Sequence, residues 1–456
     1  MQCDASSWLC GRHVSVTTAA PTRSATGPSS FFLCSKPTVF CCTDASKDSS
    51  STCSNTARPL YNPLKRRQSS HAPDVVRHWI QTDNQQPLSS QDRFTVASYN
   101  ILGDRNAFAH RDMYRNVPSH YLKWDHRKGV ICDELAQWNP DIICLQEVDK
   151  YFELLEILAK VGYLGSYKRR TGDTVDGCAI FWKADNFQLL EEHSIEFKGY
   201  GLRDNVAQLS VFEIVSIVST SNFIPYRQMQ KAESRRFVIG NIHVLYNPSR
   251  GEIRFLISRA QILSERWGNA PIVLCGDFNC TPQSAIYKFL STSELNIMSY
   301  DRRELSGQRD CHPAQVLGVK QEISSPLTLI DGLLKHCWTD EEVRVATGDA
   351  ESNLVVHPLK LNSCYATVRG STRTRGSNGE PLATSYHSKF LGTVDYLWYS
   401  DGLVPTGVID TVPVDILQRI GSLPCKKVGS DHLALVSEFA FTLDTNGDKK
   451  TAASSI

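Results

Sequence analysis

Four apolar runs in this chain end in, and a fifth begins after, polar clusters that a core strand tolerates only where it emerges at a functional edge. Val96 to Asn100 ends in an amide, and Ile142 to Glu147 ends in Gln-Glu. The run Val238 to His243 ends in an imidazole, Ile272 to Asn279 places Asp277 and Asn279 two apart, and Gly429-Ser-Asp-His432 sets an acid and a histidine before another apolar run. Phosphoester hydrolysis with a hard metal wants these residue types. Magnesium takes oxygen ligands and keeps several waters, so a few carboxylates suffice and substrate phosphate completes the shell. Glu147 is the first choice of metal ligand, with Asp431 as a second acid. Asp277 and Asn279, at i and i+2 of an extended segment, suit the orientation of an attacking water and the holding of a phosphate oxygen. His432 can donate a hydrogen bond to developing phosphorane charge, provided that a carboxylate on its other nitrogen keeps it protonated. Asp395, in Gly392-Thr-Val-Asp395-Tyr396, is the candidate for that carboxylate. Taken alone, His243 also reads as a hydrogen-bonded structural histidine, and Asn100 as a turn residue closing a strand.

Such residues must be delivered by strands and helices in alternation. Phe94 to Ile101 alternates like a strand. Ile131, Leu135 and Trp138 recur at helical spacing until Pro140 stops the helix, and Ile142 to Leu145 reads as a buried strand. Phe237–Val244 and Pro271–Cys275 read as strands, Ile253–Trp267 and Gln283–Leu290 as helices, and Val394–Tyr399 and Leu433–Phe439 as late strands. Three polar stretches, Val218–Arg236, Glu304–Pro326 and Arg369–Glu380, read as loops or insertions with solvated charges; gripping RNA is the other reading of their Arg and Lys residues. No internal repeat is visible, leucine-rich or otherwise.

The 456 residues, 41% hydrophobic, allow one large or two ordinary domains with a proper core. Residues 1–88 are rich in Ser, Thr, Pro and Ala without apolar period and read as a disordered tail, as do 443–456, leaving 89–442 for catalysis. The net charge of +1 hides eight Lys/Arg against three Asp/Glu in residues 1–73, so the remainder is slightly acidic and a phosphate backbone must be held by local patches and metal. The Ser-rich, acid-poor start resembles an organelle transit peptide, while Lys65, Arg66 and Arg67 form a cluster of the nuclear-import kind, favouring nucleus and cytoplasm. A plain solvated tail is the third reading. The fifteen cysteines lack regular spacing, and Cys144 and Cys275 sit in apolar runs, as small core residues of a reducing compartment do. The six in the tail lack the paired spacing of a zinc module. No apolar run approaches the ~20 residues needed to cross a bilayer.

In their order along residues 94–440, Ser98-Tyr-Asn100, Leu145-Gln-Glu-Val148, Asn241-Ile-His243, Gly276-Asp-Phe-Asn279, Thr393-Val-Asp-Tyr396 and Ser430-Asp-His432 resemble the endonuclease/exonuclease/phosphatase superfamily, which includes deoxyribonuclease I. That resemblance implies a four-layer α/β sandwich, two central sheets flanked by helices, with the site at one end between the sheets. Asp176–Lys183, Gly379–Thr384 and Phe390–Ser400 look more narrowly like the carbon catabolite repressor 4 type poly(A) deadenylases and their nocturnin-like relatives. By resemblance, Glu147 and Asp431 bind Mg2+; Asp277, Asn279, His243 and His432 serve catalysis, supported by Asp395. Asn100 and Asn205 contact substrate or metal, and Pro248 and Phe390 clamp an adenine, for which stacking is worth about 1–3 kcal/mol. Phe390 as ordinary core and Pro248 as an ordinary turn is the bland alternative.

The expected activity is magnesium-dependent 3′-to-5′ shortening of poly(A) RNA with release of adenosine monophosphate. Leu245 and Tyr246 stand where the family has a second His and a Trp, so this wall of the pocket, and with it the contacts to substrate, differs. Without a leucine-rich repeat docking module, association with other deadenylase-complex subunits is open. The alternatives are a nocturnin-like 2′-phosphatase acting on NADP(H) and an RNA-binding scaffold with a dead site.

Overall fold

Along Arg93–Asn100, Phe94 and Val96 point to one face and Ala97 and Tyr99 to the other, and all four are buried. A strand covered on both faces lies inside a layered fold. The computed structural model describes residues 75–82, 93–215, 235–245, 251–302, 304–318, 338–349 and 351–442. Its seven-stranded sheet runs in the order β1 (Trp79–Gln81), β16 (Leu403–Ile409), β17 (Leu435–Phe441), β2 (Arg93–Asn100), β3 (Ile142–Gln146), β5 (Gly177–Lys183), β4 (Tyr163–Arg169). A six-stranded sheet runs β12 (Asn362–Ser363), β15 (Asp395–Tyr399), β9 (Ile272–Asp277), β8 (Arg236–His243), β7 (Val206–Ile214), β6 (Phe187–Glu196). Two small hairpin-like pairs, β10 (Glu294–Asn296) with β11 (Leu354–Val356) and β13 (Ser385–His387) with β14 (Phe390–Gly392), lie outside them.

The two sheets repeat one pairing plan. β2 and β3 are parallel, as are β8 and β9, and each pair is flanked by antiparallel neighbours. The carboxyl ends of all four parallel strands carry the motif residues Asn100, Glu147, His243 and Asp277. Phe94, Ile142, Phe237, Ile239, Val273, Leu397 and Phe439 fill the space between the sheets, where the Phe94 and Phe237 rings stack 4.1 Å apart. Helix Trp124–Trp138 and helix Tyr151–Ala159 cover the outer face of one sheet, and helices Glu252–Arg266 and Ala285–Thr292 cover the other. This is the four-layer α/β sandwich. Between its sheets, Asn241 Nδ2 donates to Leu145 O at 3.0 Å and Ala179 O at 2.9 Å, and its Oδ1 accepts from Gln146 Nε2 at 2.8 Å. Buried amides so paired pin one sheet against the other just beneath the motif residues.

Two expectations need correction. Residues 79–81, expected in the tail, pair with β16, and Arg77 donates to Asp410 O and Ala434 O at 2.7 and 2.6 Å. The main-chain groups at the sheet edge find partners there, which low hydrophobicity in the segment hides. Arg375, expected to be a solvated loop charge, is buried, lies 4.9 Å over the Tyr365 ring and pairs with Asp410. Within the Arg369–Glu380 segment Arg369 and Arg373 are exposed as expected, whereas Arg375 is paired inside the protein rather than hydrated. All eight described cysteines are free thiols, Cys144 and Cys275 among the buried ones. No helix among the described residues is long and apolar enough to cross a membrane. The expectations for 1–74, 83–92 and 443–456, for nearly all of Val218–Arg236, for the later part of Glu304–Pro326 and for Tyr246 and Pro248 lie outside the described residues.

Candidate active site

Each motif residue is aimed by a local backbone device. Glu147 follows β3 with φ 56°, and Asn279 follows β9 with φ 48°, left-handed conformations that cost side-chain-bearing residues energy and cluster at functional sites. At Gly276 a Cβ would stand 1.9 Å from Ile242 O, so only glycine lets β9 approach β8 and bring Asp277 level with His243. Antiparallel register sets Asp395 opposite Asp277. The backbone after Thr384 holds the last motif, since Leu433 N donates to Thr384 O at 2.7 Å and Tyr386 N to Asp431 O at 2.9 Å.

Asn100 sits at the centre. Its Nδ2 donates to Glu147 Oε1 at 3.1 Å and to Asp277 Oδ2 at 3.0 Å, while Leu102 N holds its Oδ1. Glu147 Oε2 accepts from Asn106 Nδ2 at 2.7 Å and from Gly103 N at 3.1 Å. Burial pushes the Glu147 carboxyl up, but the neighbouring His243, the Asn106 and Asn100 amides and His432 together outweigh it and hold it below the usual carboxylate range. Asp277 Oδ1 accepts from Asn279 N at 2.9 Å. Burial, then the neighbouring Asp395, raises Asp277 to about 7.

The two histidines differ. Burial opposes charge on His432, yet Asp395, Asp431 and Asp277 raise it well above the usual histidine value. Its Nδ1 lies 2.8 Å from Asp395 Oδ2, which also accepts from Thr384 Oγ1 at 2.6 Å, and its Nε2 faces Asp277 Oδ2 at 3.8 Å. Asp277, Asp395 and His432 bring their polar atoms within 4.8 Å of one another. An imidazolium has no lone pair for a metal, so this trio is a hydrogen-bonding group, and metal binding falls to the oxygen donors. His243 is pushed down to about 3 by burial and by Arg170. Arg170 NH2, always a donor, lies 2.8 Å from His243 Nδ1, so the proton sits on Nε2, facing Asp277 Oδ2 at 3.5 Å. The Asn279 Nδ2 contact to Nε2 at 3.2 Å then sets donor against donor, and that amide bonds Val244 O at 2.7 Å instead.

The structure brings Asn100, Glu147, His243, Asp277, Asn279, Asp395 and His432 into one cluster, buried except for the half-buried Glu147 and Asn279. Asp431 adjoins it, its Oδ2 accepting from Tyr114 OH at 2.8 Å. Asn205 is fully buried and braces the site, its Nδ2 donating to His243 O at 2.8 Å and Glu252 Oε1 at 3.1 Å. Phe390 lies in β14, with 8% exposure, its ring centroid 6.0 Å from that of His387. Sequence reasoning did not find Asn106, Tyr114, Arg170 or Gln308, whose Nε2 donates to Asn279 O at 2.6 Å. Thr384 closes a motif already singled out, as Asp176, paired with Arg170 at 3.3 Å, opens another. Oxygen donors from Glu147, Asp277, Asp431, Asn100 and Asn279 suit a hard divalent cation and phosphate.

Residues 97–432 match the Endonuclease/Exonuclease/phosphatase family. The chain is 54% identical over 426 residues to carbon catabolite repressor protein 4 homolog 3 of Arabidopsis thaliana, covering 91% of this chain and 90% of the relative. It is 27% identical over 399 residues to the CCR4-Not complex 3′-5′-exoribonuclease subunit Ccr4 of Phaeosphaeria nodorum, covering 80% and 62%. Among solved structures, ANGEL2, a 2′,3′-cyclic phosphatase captured with adenosine-2′,3′-vanadate, aligns with TM-score 0.60 and 28% identity over 81% of this chain and 100% of that one.

Proposed function

The chain belongs to the endonuclease/exonuclease/phosphatase family, and from that membership we infer a magnesium-dependent 3′-to-5′ exoribonuclease that shortens poly(A) RNA and releases adenosine monophosphate. The observation that carries the reading is Asn100, whose one amide ties the Glu147 carboxylate to the Asp277 carboxyl and so couples a cation-holding group to a proton-accepting one. Glu147 is the metal ligand, with Asp431 beside the site. Magnesium, when bound, neutralises charge on the phosphate oxygens.

Asp277, raised to about 7, takes a proton from the water that attacks the last phosphodiester phosphorus. The bond from phosphorus to the 3′ oxygen of the preceding nucleotide breaks, and that oxygen takes a proton from solvent, leaving a 3′ hydroxyl on the shortened RNA and a 5′ phosphate on the product. His432, held charged by Asp395, donates to the oxygen on which negative charge builds. Neutral His243, fixed by Arg170, and Asn279 orient the phosphate, with Asn205 bracing the strand end beneath. The family relatives named for catabolite repression and exoribonuclease activity support RNA as the substrate. Phe390 is the candidate adenine platform.

The crystallised cyclic phosphatase supports a second reading, in which the same groups hydrolyse a terminal 2′,3′-cyclic phosphate. Rates on A20, on a mixed-sequence 20-mer and on each bearing a 2′,3′-cyclic end separate the two. Faster stepwise loss of nucleotides from A20 is expected. Equal decay of both sequences removes the poly(A) preference, and conversion of only the cyclic ends replaces the exonuclease reading.

A further inference from the structure

We propose that a cleft of about 350 Å3 lined by Phe108, Arg111, Tyr114 and Lys123 is a second subsite that binds the upstream, 5′ nucleotides of a single-stranded RNA whose 3′ end lies at His432. The inference rests on the RNA reading above and adds where the rest of the strand runs.

Four observations converge. Phe108 is 67% exposed, a large apolar ring left in solvent at the rim. The Arg111 guanidinium lies 4.3 Å over that ring, leaving cationic and aromatic surface side by side, the pairing that single strands use for phosphate and base. Neither Arg111 nor Lys123 has an ion pair among the described residues, and the cleft contains a single acid, Asp104. In a domain with a slightly acidic balance, two uncommitted cations across one cleft form a local patch. An exposed Phe covered by an Arg is common on surfaces, and alone it signifies nothing.

Continuity with the catalytic groups separates this cleft from such a pair. The Tyr114 ring lines it, and the Tyr114 hydroxyl is the group bonded to Asp431 at 2.8 Å, next in sequence to His432. The same segment is tied to the turn that precedes Phe390: Ser388 N donates to Met113 O at 3.2 Å, and Lys389 pairs with Asp112. Buried Tyr114 is thus a wall shared by the cleft and the catalytic groups, and a strand that leaves the site over this wall meets the Phe108 ring as its next stacking platform. In a 3′-end hydrolase the strand that leaves the site is the 5′ side. Its recognition is by base faces and phosphates, so it is tolerant of sequence, and any adenine preference belongs to Phe390.

The test uses the full chain, 5′-fluorescein-labelled A2 and A10, and the variants Phe108→Ala/Arg111→Ala and Lys123→Ala. In wild type KM falls from A2 to A10; in the double variant that fall shrinks by about tenfold or more. Anisotropy binding of A10 in EDTA reads the same site without turnover, and its salt slope drops by about 0.7 for each cation removed. If wild type binds A10 but cleaves no RNA, the catalytic reading fails, while the EDTA comparison still decides the subsite. A double variant that keeps the wild-type length dependence and A10 affinity overturns the proposal, as does one slowed equally on A2 and A10.

Discussion

His432 Nδ1 lies 2.8 Å from Asp395 Oδ2, and the same oxygen accepts from Thr384 Oγ1 at 2.6 Å. The hydroxyl aims the carboxylate, the carboxylate holds the proton on the imidazole, and Nε2 is left facing Asp277 at 3.8 Å. Three motifs thus form one hydrogen-bonding unit aimed at Asp277.

Asp395→Asn keeps the shape and removes the charge that sustains the imidazolium. In steady-state kinetics kcat should fall about 10²–10³-fold with a much smaller change in KM, because the lost donor acts on charge that develops in the transition state. Thr384→Val should fall in the same direction by a smaller factor. A rise in KM at unchanged kcat would assign the pair to ground-state binding instead.

Asn106 donates to Glu147 Oε2 at 2.7 Å from outside the set of oxygen donors. Removing such a support loosens a ligand without deleting it, at a typical cost of about 10–100-fold in metal affinity. Asn106→Ala should therefore raise the half-saturating magnesium concentration about tenfold or more and recover near-wild-type rate at saturation. An unchanged magnesium titration would remove Glu147 from the role of ligand.

The sandwich core is open to a direct stability test. Phe237 is fully buried between the sheets, stacked on Phe94, and Phe237→Ala should cost about 3–5 kcal/mol in denaturant unfolding. A loss under 1 kcal/mol would mean that the inter-sheet layer is not packed as described, roughly the level of a surface change.

Glu380 is buried, accepts from Tyr287 OH at 2.8 Å and is raised from 4.5 to about 7, burial outweighing the nearby Ser363 and Tyr287 hydroxyls and the Arg375 charge. The fold prefers its protonated form. Its contribution is complete below the unfolded pKa and is lost as pH rises through about 7. Between about pH 5 and pH 8, stability of wild type relative to Glu380→Gln should fall by roughly 3 kcal/mol, at about 1.4 kcal/mol per pKa unit. Parallel stability curves would show that Glu380 stays ionised in the fold.

Strand ends were legible where an apolar run stops abruptly in a polar cluster: β2, β3, β8 and β9 fall within a few residues of their expected bounds, and their last residues meet. The expected helix stop at Pro140 is realised one residue earlier by Asn139, left-handed at φ 45°. Tyr114 and Arg170 stayed hidden because their meaning is long-range. Nothing near Tyr114 in sequence indicates that its hydroxyl meets Asp431, 317 positions away. Arg170 follows the edge strand β4, where mixed burial gives no clean alternation. Arg375 misled for a related reason: in a Gly, Ser and Arg-rich segment it reads as solvated, like Arg369 and Arg373, until its carboxylate partner, Asp410, the residue after β16, is in place.

The central claim is tested most directly by chromatographic product analysis of A20 incubated with the full chain in magnesium or in EDTA. Adenosine 5′-monophosphate should accumulate stepwise in magnesium and be absent in EDTA and in Glu147→Ala. Release of mononucleotide in EDTA, or none in magnesium, would contradict the account.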